Sequence, residues 1–442
     1  MEVVIDKDNY SIEKVDELCI HCEYCTKVCQ NDVNVYGKYD LNVSKKPICI
    51  HCGQCANICP TEAIRERLDY LSIKKILKEK NKTVVFSVAP AVRVAFSELF
   101  GEEPYNVEGK IVYLLKELGA DYVFDITFGA DLTIMEEAYE LVERIKKKER
   151  LPMFTSCCPA WVNYCEIFHP ELLENLSTCK SPIAMQSSII KTYFADKEGI
   201  DPKNMIHVVV APCTAKKYEC RTKELNTTSI YPDTDYVITT RELAMWMEEE
   251  HIDFSNLSST KFDSPLGKGS SAGEIFGNTG GVCEAALRTA YHYMTGKDLD
   301  KLEFQEIRGM DGIKEASVDF DGTLIQVAVV NGMKYFEELL EKIKNGSNYH
   351  FVEVMNCIGG CIAGGGQPKM TMLERREKKL KRMNVIYQDD SKAIRRVSYQ
   401  NPDIVQLYSL FLESPGSSKA EHLLHTHYTN RSSLLEGGDI CE

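Results

Sequence analysis

Apolar residues recur along this chain in two rhythms. Beyond residue 82, short apolar runs of strand length alternate with segments whose apolar positions return every three or four residues. The runs at 83–88, 121–126, 153–155, 206–210, 236–239, 324–330 and 351–355 predict strands. The segments at 106–118, 131–149, 182–195, 241–250, 279–296 and 333–345 predict helices. Such alternation argues for parallel α/β sheets, in which ligands gather beyond the carboxyl ends of the strands. The stretch 73–80 reads as an amphipathic helix leading out of a separate N-terminal module that ends near residue 80.

Composition narrows the class. A chain of 442 residues has room for two or three domains. With 44% hydrophobic and 27% charged residues it resembles an ordinary soluble globular protein. The formal net charge of −14 argues against nucleic acid as a partner, because a phosphate backbone repels such a surface. There is no apolar run of about twenty residues, and the start, Met1-Glu2-Val3-Val4-Ile5-Asp6, is acidic rather than a hydrophobic leader. The expectation is a cytoplasmic protein without membrane association. Cysteine changes the picture most: there are 18, in spacings that suit metal rather than a disulfide framework.

Cys19, Cys22, Cys25 and Cys29 follow C-x2-C-x2-C-x3-C, and Cys49, Cys52, Cys55 and Cys59 repeat it 30 residues on, with Pro60 after the last. This is the pattern of bacterial two-cluster ferredoxins, in which the fourth cysteine of each run ligates the other cluster. One 4Fe–4S cluster is therefore expected on Cys19, Cys22, Cys25 and Cys59, and a second on Cys49, Cys52, Cys55 and Cys29. Zinc has no need of interleaved fours. His21 and His51, inside these loops, read as loop residues because the cysteines already fill every site.

Three further segments stand far apart: Thr155-Ser156-Cys157-Cys158-Pro159-Ala160-Trp161, Ala211-Pro212-Cys213-Thr214-Ala215-Lys216-Lys217, and Glu353-Val354-Met355-Asn356-Cys357-Ile358-Gly359-Gly360-Cys361, running on to Gly364-Gly365-Gly366-Gln367-Pro368. Cys158, Cys213, Cys357 and Cys361 would suffice for a 4Fe–4S cube, although no local spacing forces them together. Each segment follows a predicted strand. The glycines would let backbone approach a cluster closely. The three segments, with Phe128-Gly129-Ala130-Asp131, Lys180-Ser181-Pro182 and Phe276-Gly277-Asn278-Thr279-Gly280-Gly281 between them, resemble the signatures of the iron-only (FeFe) hydrogenases over roughly residues 83–430.

That resemblance implies an α/β catalytic domain of two lobes, with parallel or mixed sheets around a buried cluster, beside a small α+β two-cluster ferredoxin-like N-terminal domain. It implies an H-cluster: a 4Fe–4S cube on the four cysteines, bridged at Cys361 to a two-iron subsite carrying CO, cyanide and an azadithiolate. It also implies a proton path. On the helix 131–149, Glu137, Glu140 and Arg144 share a face at i, i+3 and i+7; alone they read as a solvated stripe, and the family makes them relay residues. Ser177 matches a further relay position, and Cys157 matches a cysteine that passes the proton on without ligating metal. The implied order inward is Arg144, Glu140, Ser177, Glu137, a water, Cys157. Lys216 matches the lysine that holds a cyanide. Ala89, Pro90, Pro182, Ala211, Pro212, Phe276 and Met355 match positions around the cofactor. Ala211, Ala91 and Ile183 depart from the methionine, serine and glutamine found in other members, which marks a divergent subgroup.

The expected domains are 1–80 (two clusters), 81–368 (catalytic), 369–430 (a C-terminal wrap) and 431–442 (a disordered tail). The histidines His422, His425 and His427 belong to the wrap rather than to a metal site. The basic stretch 375–382 reads as a solvated helix, with docking of an acidic ferredoxin as the sharper alternative. Cys165, Cys179, Cys220 and Cys283 read as small buried hydrophobes and Cys441 as a free thiol. The expected function is interconversion of H2 with protons and electrons, the electrons passing through two clusters to a soluble carrier such as ferredoxin, with maturation proteins supplying the two-iron subsite. Its rivals are a low-activity hydrogen sensor and a non-enzymatic iron–sulfur assembly protein.

Overall fold

A computed structural model describes residues 3–79, 81–102, 104–371 and 373–438, without the side chains of 104–106. Cys441, Lys80 and the first two residues lie outside it. The described strands are β1 Ile12–Lys14, β2 Ile64–Glu66, β3 Thr83–Val88, β4 Tyr122–Asp125, β5 Met153–Phe154, β6 Met205–Ala211, β7 Tyr236–Thr239, β8 Ile313–Phe320, β9 Thr323–Asn331 and β10 Phe351–Met355.

Two four-stranded sheets form the two lobes. The first, in the order β4-β3-β6-β7, is wholly parallel. Its central strands β3 and β6 are apolar and buried almost throughout, as strands covered on both faces must be. The second, β5-β10-β9-β8, is parallel except for the antiparallel pair β8/β9. Along β9, Val327 and Val329 enter one core while Ala328 and Val330 enter another, so this sheet too is covered on both sides. Every predicted strand is present. Beyond residue 82 the missed one is β8, an edge strand with alternating burial; the short β1 and β2 of the N-terminal module also went unpredicted. The signal for β8 was the Asp321-Gly322 turn, where both residues have positive φ, between two runs of strand type.

The predicted helix 131–149 spans Ile126–Lys147. It starts earlier because the Asp125 side chain accepts from Thr127 N at 3.0 Å and caps it. The helix from Pro182 passes through a π turn at Ile190–Phe194 and ends at Glu198 before Gly199. Helices Pro90–Phe100 and Pro159–Phe168 went unpredicted; each opens with proline straight after a strand or short loop. No helix of the described residues is long and apolar enough to cross a membrane.

In the N-terminal module, β1 pairs with β2, and helices Tyr24–Asn31 and Gln54–Ile58 begin inside the two cysteine runs, the first carrying Cys25 and Cys29 and the second Cys55. The repeat extends to backbone conformation: His21 and Glu23 have positive φ, as do His51 and Gly53 in the second copy. Two expectations need correction. The basic stretch is not simply solvated: in helix Arg375–Lys392, Arg382 is buried against Glu98 and donates to Ile362 O, because this face packs on helix Pro90–Phe100. Nor is the end disordered from 431: Ser432–Glu436 forms a 3₁₀ turn whose Leu434 and Leu435 pack on the core beneath β10.

Candidate metal centre

The carboxyl ends of the central strands meet at one buried cavity. From the first sheet it receives Ala89, Pro90 and Ala91 after β3, and Ala211, Pro212 and Cys213 from β6 onward. From the second it receives Cys157 and Cys158 after β5, and Met355, Asn356 and Cys357 from β10 onward. Cys361, Lys216, Pro182, Ile183 and Phe276 complete its wall. The four cysteines picked out from sequence thus share a cavity although up to two hundred residues separate them.

The donor set suits a cluster. Burial raises the proton affinity of all four thiols, and the charges of their cysteine neighbours add to it at Cys213, Cys357 and Cys361. Four convergent sulfurs in an apolar wall are what a 4Fe–4S cube uses, and its irons would relieve the mutual repulsion of the thiolates. The Cys357 sulfur accepts from Gln54 Nε2 at 3.1 Å and lies 3.5 Å from Asn356 Nδ2. Gln54 escaped sequence reasoning because its partner is 303 residues away.

Backbone proximity explains two glycines. Gly360 has φ +89°, and a Cβ there would stand 2.6 Å from Thr279 N. A Cβ on Gly365 would meet Cys52 O at 2.1 Å. At that point the N-terminal module presses on the catalytic domain, and Cys52 itself lines the central cavity. Thr214 Oγ1 donates to His51 O at 2.7 Å, and Asn57 Nδ2 to Gln367 O at 3.0 Å, across the same junction. In the module, Cys19, Cys22, Cys25 and Cys59 line a second small cavity. The Cys55 thiol is pushed well up by burial and then by the charges of Cys49 and Cys29, which places these three together. His51 stacks on Tyr218 at 4.3 Å, a packing role rather than a ligand's.

The charged face of helix Ile126–Lys147 is only partly wired to the cavity. Arg144 Nη2 donates to Glu140 Oε1 at 2.7 Å, and Ser177 Oγ donates to Glu140 Oε2 at 3.0 Å. Glu137 is fully buried, and neither of its oxygens makes a full hydrogen bond. Burial, then the charge of Glu140, lifts its carboxyl to about 8, with Ser177 acting weakly in the other direction. The Cys157 thiol is raised well above its ordinary range by burial and next by Glu137. Lys216 Nζ pairs with Glu219 at 2.8 Å and donates to Cys157 O at 3.3 Å. Glu219 was not foreseen; it sits one helical turn after Lys216, where an i, i+3 pairing rule finds it.

Residues 82–365 match the family model described as the C-terminal domain of the iron-only hydrogenase large subunit, 376–431 match the iron hydrogenase small subunit, and 18–64 match a 4Fe-4S dicluster domain. The chain is 40% identical over 446 residues to Iron hydrogenase 1 of Clostridium pasteurianum, covering 96% of this chain and 78% of that one. It is 41% identical over 436 residues to the NADP-reducing hydrogenase subunit HndD of Solidesulfovibrio fructosivorans, covering 96% and 68%. Among solved structures, apo [FeFe]-hydrogenase HydA1 from Chlamydomonas reinhardtii superposes with a TM-score of 0.73 at 38% identity, over 84% of this chain and all of that one.

Proposed function

The chain belongs to the iron-only hydrogenases and is an oxidoreductase of hydrogen; from that premise we propose how its own residues serve the reaction. Cys158, Cys213, Cys357 and Cys361 would hold the 4Fe–4S cube of an H-cluster, and Cys361 would be the residue nearest a two-iron subsite carrying CO, cyanide and an azadithiolate. When bound, that group supplies the redox centre at which H2 is split or formed. The observation that carries this reading is the convergence of four thiols from the strand ends of two sheets on one apolar cavity.

The protein's part is to seat the group, exclude water and move protons. Ala89, Pro90, Pro182, Ala211, Pro212, Phe276 and Met355 form the dry wall. Lys216 lines the cavity with its ammonium held by Glu219 at 2.8–2.9 Å and by Cys157 O at 3.3 Å, and in this reading it is the group that would hold a cyanide. Protons travel between solvent at Arg144 and the Cys157 thiol by way of Glu140, Ser177 and Glu137. The unpaired oxygens of buried Glu137 support a bridging water there, since orphaned buried carboxyls are costly. A carboxyl raised to about 8 is poised to give and take a proton near neutral pH.

Cys49, Cys52, Cys55 and Cys29 would hold one 4Fe–4S cluster and Cys19, Cys22, Cys25 and Cys59 a second, and the two would supply an electron relay. The contact of Cys52 with the central cavity supports the first of these as the inner station. The outer partner in this reading is ferredoxin; nicotinamide, through further subunits, is the competitor suggested by the relative named NADP-reducing. The reading includes domains at 1–80, 81–368 and 369–430, dependence on maturation proteins, and a cytoplasmic setting, which suits so many metal-spaced thiols. The test is H2 production by the matured protein with reduced ferredoxin. Ala91, Ile183 and Ala211 all line the cavity, which favours a second reading as a low-activity hydrogen sensor. Turnover far below that of the relatives, with the cofactor fully loaded, would select it.

A further inference from the structure

A second set of donors meets on the outer half of the helix that carries Glu140. The Glu140 carboxylate, the Cys179 thiol and a ring nitrogen of His425 all lie within 4.8 Å of one another. They come from three parts of the chain, and an isolated antiparallel bridge between Cys179 and His425 aligns two of them. Cys179 is fully buried, and its sulfur stands 3.8 Å from Glu140 Oε2.

The imidazole is oriented as a ligand is. His425 Nε2 faces Glu136 Oε2 at 3.1 Å. Glu136 is fully buried and held in place by the Tyr408 hydroxyl and by Gly416 N. A carboxylate there keeps the ring proton on Nε2 and makes Nδ1 the nitrogen that carries the lone pair, the same arrangement that fixes metal-binding histidines. Nδ1 now faces the Thr178 hydroxyl at 2.7 Å. On Glu140, Arg144 holds Oε1, while Oε2, the oxygen nearest Cys179, accepts from Ser177 Oγ and Thr178 N at 3.0 Å each, so a metal binding there takes the place of the Ser177 hydroxyl. A polar cavity lined by Thr426, Tyr428 and the exposed His427 reaches the Cys179 side of this set.

We propose that Glu140, Cys179 and His425 form an inhibitory site for a thiophilic divalent cation of the zinc class, bound through Oε2, Sγ and Nδ1 with one water as the fourth ligand. One sulfur, one nitrogen and one carboxylate oxygen suit zinc. Ligation converts the Cys179 thiol to thiolate, its proton goes to solvent, and no electron moves. The site stands on this geometry. Its effect on turnover rests on the reading of Glu140 as a relay carboxylate, because an oxygen committed to metal no longer passes protons between Arg144 and Ser177.

The experiment uses the full-length matured protein and zinc chloride alone. Zinc-edge X-ray absorption of the equimolar complex is expected to show a single sulfur among nitrogen and oxygen ligands. Cys179→Ser and His425→Gln are expected to weaken binding strongly, and Glu136→Gln, which touches no metal, by about 10–100-fold. A zinc shell with no sulfur, a shell with several sulfurs, or unchanged affinity in folded variants overturns the proposal. The sulfur count on the unaltered protein decides even if a variant does not fold. Zinc is further expected to slow H2 turnover in the parent and much less in His425→Gln. Single-sulfur binding without inhibition keeps the site and removes Glu140 from the relay.

Discussion

Glu137 and Glu140 lie one turn apart on the same helix and differ in every respect that matters to a proton. Glu140 is held by Arg144, Ser177 and Thr178 N, whereas Glu137 is buried without a full hydrogen bond. Its raised carboxyl is protonated below about pH 8 and ionised above it. Inward delivery draws on the protonated form, so at fixed driving force H2 production should fall as pH rises through about 8, while the oxidation direction gains an acceptor. Paired pH profiles check this, and profiles that run parallel across that range contradict it. Glu137→Gln keeps the volume and removes the exchangeable carboxyl proton. It should cost roughly 10²–10⁴-fold in turnover, the usual worth of a positioned acid–base group, at unchanged iron content. These roles were visible in sequence only as a stripe at i, i+3 and i+7 whose meaning came from family likeness. The imbalance between the two carboxylates was not visible, because Ser177 and Thr178 approach from a segment nearly forty residues on.

At the scale of elements, strands were the most legible feature. β3, β6, β9 and β10 are mostly apolar, each broken by a single interior polar residue (Ser87, His207, Gln326 and Glu353), because both faces of their sheets are covered. β8 alternates at an edge and was lost. Helix starts were harder to see. Asp125 is at once the last residue of β4 and the cap of helix Ile126–Lys147, and it is also the carboxylate partner of buried Arg93. Asp125→Ala therefore removes the most buried partner of Arg93, leaving it Glu108 at 2.9 Å and the more distant Glu274, and takes an acceptor from an amide as well; it should cost about 2–3 kcal/mol, less than a buried pair broken outright. Chemical denaturation reads this, and a loss no larger than the ~1 kcal/mol of a cap alone would show that Arg93 finds other partners. Gly365→Ala places a methyl group against Cys52 O and the Gly53 backbone. Overpacking of this kind costs about 1–3 kcal/mol, and here it should also loosen the junction between module and catalytic domain, seen as earlier proteolysis of the N-terminal 80 residues.

Across the whole molecule, the cysteine runs of the N-terminal module could be read from spacing alone, since each site draws on local sequence and one interleaved residue. The central cavity could not. Cys158, Cys213, Cys357 and Cys361 meet only because two sheets aim their carboxyl ends at each other, and no periodicity records that. The proposed electron route rests on Cys52 of the second cysteine run lining that cavity, while Cys19, Cys22, Cys25 and Cys59 line another. Cys22→Ser should therefore depress ferredoxin-driven turnover at least ~10-fold while sparing a small dye that can reach the inner cluster, a split that parallel assays measure. Equal losses with both donors would place electron entry elsewhere. The central claim is that four distant thiols seat one iron centre bearing diatomic ligands. Infrared spectroscopy of the matured protein in the CO and cyanide stretching region tests it most directly. Both sets of bands are expected, as is their loss in Cys361→Ser with the two N-terminal clusters intact. A fully matured protein without those bands, holding no more iron than the N-terminal pair requires, would contradict it.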